Sequence, residues 1–208
     1  MSAQPTKTAS HRPSRRGSIV DAAIKVFSSQ GFSDANIHDI AQEAGVAPTA
    51  VYYHFHGKPD LFEAALRRVL GSITNVVLAT RADEEPGTPE ALAAVIVAVW
   101  TWLDENPESC QLLHHHLPGM TTRAATLQRE FEDVHVRRAF DYFPQESPPA
   151  TRRSAIGRHA AETLAVRTFI GLTILVHPMR SQDGPLAGRA DRRVRQAVID
   201  VSQRLLTG

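Results

Sequence analysis

The sequence predicts an all-α chain in two unequal parts. Three observations lead there. Apolar residues recur at i, i+3, i+4 and i+7 along most of the chain, the spacing of one helix face. No segment sustains the period-two alternation of a half-buried strand. Glycine and proline fall between the periodic stretches, where helices stop and start. The parts are a three-helix N-terminal unit within residues 14–58 and a larger helical unit over 59–208, preceded by a basic arm at 1–13.

Composition narrows the function classes. A hydrophobic content of 42% over 208 residues is enough for a real core. The net charge is +1 with ten histidines uncounted, so the molecule is no polycation and a nucleic-acid surface has to be local. The one cysteine, Cys110, rules out an intrachain disulfide and fits a reducing cytosol. The N-terminus has no apolar signal region. The nearest approach to a membrane span, Leu164–Val176, contains Arg167 and is shorter than the roughly 20 residues a span needs. The expectation is a soluble, cytoplasmic protein with no membrane partner.

In the arm, Lys7, His11, Arg12, Arg15 and Arg16 gather positive charge. It reads as a disordered tail or as an arm that touches phosphates or a minor groove. The first helix is expected over Ser14–Gln30, with Ile19, Ala22, Ala23, Val26 and Phe27 on one face and Gly31 ending it. The second starts at Asn36, a good N-cap, and buries Ile37, Ile40, Ala41 and Ala44. Gly45 closes it through a positive φ, and Val46 plugs the turn. Pro48 suits the first position of a third helix, Pro48–His54, which buries Val51 and Phe55. Two helices joined by such a short glycine-containing turn form a helix-turn-helix, or a plain helical hairpin.

The exposed side of the third helix favours the first reading. Thr49, Tyr52, Tyr53, His54 and Lys58 offer hydroxyls, an imidazole and an ammonium to phosphate oxygens, and rings to thymine methyls. Two adjacent tyrosines on a short helix cannot both point inward.

Here the residues converge on a known pattern. Phe27 with Gly31, Asp39-Ile40-Ala41, Ala44-Gly45-Val46, Val51-Tyr52-Tyr53-His54-Phe55, and Lys58 followed by Leu61 stand in the order of one DNA-binding domain. From Arg15 to Leu61 the chain resembles the tetracycline-repressor (TetR) family of bacterial transcriptional regulators. The resemblance implies that His38 contacts bases and that Pro48, Thr49 and Tyr53 face the major groove. It assigns Tyr52, His54 and Lys58 to phosphates, and Asn36 to the DNA backbone. Ala47 departs from the usual serine cap, Thr49 and Ala50 stand where glycine and threonine are common, and Ala35 replaces a threonine. These departures bear on the base contacts, not on the fold.

The helix after the motif is expected over residues 59–80, starting at Pro59. Asp60 and Glu63 lie at its positive end, and Leu61, Phe62, Ala65, Leu66, Val69 and Leu70 pack. At about 1.5 Å per residue it spans roughly 33 Å, enough to join two domains. Arg81–Pro89 is a break. Further helices are expected at Glu90–Glu105, Pro107–His116, Thr121–Phe143, Ala150–His177 and Ala190–Leu206, with loops at Pro144–Pro149 and Pro178–Gly188. In the last helix Val194, Ala197, Val198, Val201 and Leu205 form a stripe, with Ile199 and Leu206 off it, so a second neighbour is needed. Burial within one monomer would satisfy it. So would the two-fold four-helix interface that the resemblance implies.

A ligand-binding set in this second part is Trp100, Leu103, His114, Phe131, His135, Thr168, Phe169, Leu172 and Thr173, aromatic walls with a few polar tips. Taken singly, each also reads as ordinary core. Cys110 with His114, and Glu132 with His135, have helical metal-ligand spacing, but the pairs are not repeated and no metal is expected. No phosphate loop, G-x-S-x-G, His-Glu-x-x-His or repeated CxxC is present, and neither an enzyme nor a cofactor is expected. The resemblance then implies a homodimeric one-component regulator, a repressor released from a pseudo-palindromic double-stranded DNA operator by a small-molecule effector. The alternatives are a ligand-strengthened regulator or activator, and an all-helical enzyme or scaffold.

Overall fold

A computed structural model of the chain describes residues 15–82, 88–116 and 167–207 except 182, with positions 126, 129, 130, 133, 160 and 164. Every regular element among them is helical: α1 (Arg15–Asp34), α2 (Ile37–Glu43), α3 (Pro48–His54), α4 (Lys58–Ala82), α5 (Pro89–Glu105) and α6 (Pro107–His116). Then come α7 (residues 167–176), a 3-10 turn at His177–Arg180 and α8 (Asp191–Thr207). The expected arm 1–13, the pocket residues Phe131 and His135, and most of the expected helix Thr121–Phe143 lie outside the described residues. So do its following loop and the first part of the expected helix Ala150–His177.

α1 buries Ile19, Ala23 and Phe27 completely, as its apolar spacing requires. Its regular helical geometry breaks at Gly31, the expected end. Gly31 takes φ 77° and ψ 169°, which kinks the helix, and one more turn runs on to Asp34. A left-handed φ is open to glycine at little cost, so the chain bends there without stopping. The bend aims Phe32 back inward. Phe27, Phe32 and Phe62 pack as a trio, with Phe62 edge-on to both others at 5.1 and 5.0 Å. Each such pair contributes about 0.5–1.5 kcal/mol beyond area burial.

α2 is capped by Asn36, whose side chain accepts from the Asp39 amide at 3.0 Å and donates to the Asp39 carboxylate at 2.7 Å. Gly45 closes it at φ 65°. α3 starts at Pro48 without a side-chain cap, because Ala47 has no acceptor. Val51 and Phe55 anchor it in the core. α4 begins one residue before the expected start and runs to Ala82, about 37 Å at the usual rise. Its start packs on α1, and it also packs on α5. α6 lies along α1 as well, so α1 is gripped by two elements of the C-terminal part. The expected loop over 178–188 opens instead with the 3-10 turn, which continues the helical chain past His177. In α8 the residues facing the core are Val198, Ile199 and Ser202, so Ile199 is an inward residue although it lies off the apolar stripe. Ala197 and Val201 of that stripe are exposed. No helix among the described residues is long and apolar enough to cross a membrane.

Candidate functional site

Thr49, Tyr52 and Tyr53 stand at i, i+3 and i+4 on α3, one side of a short helix whose opposite side holds Val51 and Phe55 in the core. That side is open. Tyr52 is 58% exposed and Tyr53 84% exposed, on a three-helix unit whose other large rings are packed. Tyr53 stacks edge-on against His54 at 5.0 Å, which steadies a ring that otherwise meets only solvent. His38 on α2 is exposed, while Pro48 and His54 are half-buried. Arg16, on the first turn of α1, lies 4.8 Å over the Phe55 ring and holds the base of α3. Asn36 is exposed, but its oxygen is used as the α2 cap. Lys58 is placed differently from the rest. Its ammonium donates to the carbonyls of Ser33 and Ala35, and it covers the Phe32 ring.

Residues 19–65, the stretch that holds this surface, match the profile of bacterial regulatory proteins, tetR family. The N-terminal domain is thus of the tetR-family type. Over 60 residues it is 48% identical to the HTH-type transcriptional regulator SrpR of Pseudomonas putida, covering 29% of this chain and 28% of that protein. The matched stretch spans less than half the length of the curated relatives. The fold extends further than the sequence match. The fatty acid degradation regulator FadR from Bacillus halodurans superposes with a TM-score of 0.70 at 18% identity, covering 94% of this chain and 96% of its own. FadR from Bacillus subtilis, in complex with stearoyl-CoA, superposes at 0.69 and 18% identity over 92% of this chain and 97% of its own. The likeness to those regulators is therefore one of fold over nearly the whole chain.

That C-terminal part holds a second polar site at the meeting of α5, α6 and the 3-10 turn. Leu103, Asp104, Cys110, His114, His177 and Arg180 are among the residues lining a cleft of about 580 Å³ there. Leu103 and His114 of the expected ligand set are in its wall. Trp100 is fully buried behind it, 4.7 Å from the Arg180 guanidinium and edge-on to His177 at 5.0 Å. Thr168, Phe169, Leu172 and Thr173 lie on α7, away from this cleft, and the Thr168 and Thr173 hydroxyls donate to helix carbonyls one turn earlier.

Arg180 organises the cluster. It donates to Asp104 at 2.8 Å, to Asp191 and to the His177 carbonyl at 3.0 Å. The Trp100 indole donates to the same Asp191 oxygen at 3.0 Å. His177 Nε2 lies 2.9 Å from Asp104 and 2.7 Å from Arg180, and its Nδ1 lies 3.3 Å from Cys110 Sγ. Asp104, His177, Arg180 and Asp191 were not part of the expected site, because their partners lie up to 91 residues away.

Cys110, His177 and Asp104 stand in the order of a nucleophile, base and orienting carboxylate. The electrostatics oppose that chemistry. Burial pushes the Cys110 thiol up to about 11, so it stays protonated at neutral pH. Burial and the Arg180 charge hold His177 below its ordinary value, which keeps the ring neutral. Burial draws Asp104 upward, but the hydrogen bond and charge of Arg180, with His177 behind them, outweigh it and leave the carboxyl below its usual range. The result is an ionised carboxylate beside a neutral imidazole and a neutral thiol, a bolt between helices. Among the described residues no group of three or more His, Cys, Asp or Glu is placed to hold a metal ion.

Proposed function

We propose that the protein is a one-component transcriptional regulator, a dimeric repressor that a small molecule releases from its operator. The observation that carries this reading is the outward display of Tyr52 and Tyr53 on a helix otherwise anchored in the core. A short helix gains nothing in stability from two solvent-facing tyrosines. It gains rings, hydroxyls and methyl contacts for a major groove. Thr49, Tyr53, Pro48 and His38 are proposed to meet base edges, with Tyr52, His54 and Asn36 at the DNA backbone.

The α8 surface supports a dimer. Its inward side is satisfied by α5 through Val198 and Ile199, while Ala197 and Val201 keep an apolar side open for a second copy. A two-fold pair would set two α3 helices about one DNA turn apart, roughly 34–36 Å, and read a pseudo-palindrome. The cleft beside Asp104 and Arg180 is the proposed place of the effector, since α6 forms one of its walls and also packs on α1. Release by 100-fold needs only about 2.7 kcal/mol of coupling. The stearoyl-CoA complex of Bacillus subtilis FadR supports a small-molecule role for this architecture.

Fluorescence anisotropy with duplexes drawn from the DNA flanking the gene tests the reading. Salt-sensitive binding to one palindromic segment is expected, with Tyr53→Ala relaxing sequence preference by about tenfold or more. Equal, weak binding to every duplex, unchanged in Tyr53→Ala, would refute it.

A further inference from the structure

Both helices of the helix-turn-helix lie between Lys25 and Lys58, and that stretch has no lysine or arginine. It holds three carboxylates, Asp34, Asp39 and Glu43, and three of the ten histidines, His38, His54 and His56. With neutral imidazoles its formal charge is −3, and with all three protonated it is zero. A surface that has to meet a polyanion is thus negative at one end of the histidine titration and balanced at the other. His38 is on the first turn of α2 and exposed. His54 is the last residue of α3, half-buried with the Tyr53 ring edge-on at 5.0 Å, at the end of a helix where positive charge is favoured. His56 is exposed in the turn into α4. Among the described residues none of the three rings makes a hydrogen bond or an ion pair, so their N–H groups are open to an outside acceptor. The charges around them come from each neighbouring helix. α1 brings Arg15, Arg16 at 4.8 Å over the Phe55 ring, and Lys25, which offsets Glu43 at 3.1 Å. α2 brings Asp39, bonded by the Asn36 amide at 2.7 Å. α4 brings Lys58 and Asp60, whose carboxylate accepts the His56 amide at 3.0 Å. α3 itself adds only the Tyr52 and Tyr53 hydroxyls. Asp39 and Asp60, next to His38 and His56, favour protonated rings, and those protons offset the repulsion that the carboxylates exert on a phosphate.

We propose that the operator complex takes up protons at His38, His54 and His56, so that the proton is a co-ligand of DNA and acidification tightens binding. The inference rests on the DNA-binding reading above. A phosphate or a base acceptor beside a ring stabilises the imidazolium over the imidazole. The complex then holds more protons than the free protein, and affinity rises as pH falls. Each histidine so engaged adds about fivefold in affinity between about pH 8 and about pH 6. One that meets a phosphate also steepens the salt dependence by about 0.9 at the lower pH. His177 acts in the opposite direction, and on the fold rather than on DNA, because burial disfavours its protonated form.

Anisotropy of the full chain with the palindromic flanking duplex, at about pH 8, 7 and 6 and constant ionic strength, tests this. Calorimetry in two buffers of different ionisation enthalpy counts the protons taken up, and melting curves at each pH confirm that the chain is folded. The expected result is a rise of about 25-fold or more in affinity from pH 8 to pH 6, with a net uptake of about one proton or more per chain near pH 7. In the triple variant His38→Gln, His54→Gln and His56→Gln the affinity should change by less than about threefold over the same range. If that variant does not fold, His38→Gln and His56→Gln are made singly at the two exposed positions, and each should lower the rise by about fivefold. An affinity independent of pH, with no proton uptake, would overturn the proposal while leaving the DNA-binding reading intact. A rise that the variants retain in full would overturn it too, because the protons then bind elsewhere. If no duplex is bound at any pH, the DNA-binding reading itself fails and the proposal falls with it.

Discussion

Arg180→Met removes the centre of the polar bolt while leaving an unbranched apolar stem in its place. Three contributions set its cost. The guanidinium loses its face-on contact with Trp100, worth about 0.5–2 kcal/mol. It loses charge-assisted bonds to Asp104 and Asp191, worth about 1.5–3 kcal/mol each when fully dry. The two carboxylates are 47% and 43% exposed, so water replaces much of the second contribution. The bond to the His177 carbonyl adds about 1 kcal/mol. Weighing these, the variant should be less stable by about 2–3 kcal/mol, a fall of about 4–12 °C in melting temperature for a chain of this size. Urea titration followed by circular dichroism measures it. A loss below about 0.5 kcal/mol would mean that the cluster behaves as an ordinary surface ion pair and that the reasoning is wrong. The cycle with Asp191→Asn adds a second check, since the two should couple by about 1 kcal/mol or more.

The remaining predictions concern titration and reactivity. Because His177 is held below its ordinary value, the unfolded chain takes up a proton near pH 6.5 while the folded chain does not. Its contribution to stability is present above about pH 6.5 and is lost as pH falls towards the folded value, so the urea midpoint should drop between pH 7.5 and 5.5, and drop less in His177→Asn. Equal drops would show that His177 is not the group responsible. Asp104 acts with the same sign at lower pH, its contribution being present above its unfolded value and lost as pH falls further. Cys110 has the opposite sign. Its raised value makes a contribution present below about pH 9 and lost as pH rises through about 11. At pH 8 iodoacetamide should label folded Cys110 about 100-fold more slowly than the unfolded chain, and comparable rates would contradict its buried, protonated state.

Local features of the fold were legible because their causes are local. Asn36, Gly45 and Pro48 punctuate α2 and α3 through caps and a left-handed φ, and each acts where its chemistry requires. The apolar spacing of α4 identified Leu61, Phe62, Ala65, Leu66, Val69 and Leu70 as buried, and they are. Gly31 was a harder case, since the same φ that ends a helix also permits a kink when Phe32 has a ring cluster to join. Lys58 shows the limit most clearly. Spacing places it after the third helix, but nothing local tells that its charge is used by carbonyls 25 and 23 residues earlier. The same holds for the bolt. Cys110 and His114 were noticed as an i, i+4 pair, whereas the partner that Cys110 meets is His177, 67 residues on. Periodicity finds the faces of helices, and only their packing decides which polar tips meet.

Trp100 gives the bolt an optical consequence. Its indole is wholly shielded from water, lies against a guanidinium, faces an imidazole edge-on and donates to a carboxylate. Each of these neighbours affects the colour or the lifetime of indole emission, and all three are tied to the junction of α5, α8 and the 3-10 turn. The only other indole, Trp102, is half-buried on the same helix. In a Trp102→Phe background the chain would carry a single tryptophan, excitable apart from its three tyrosines, at the joint beside the proposed effector cleft. Opening of that joint could then be timed in unlabelled protein, separately from the loss of DNA.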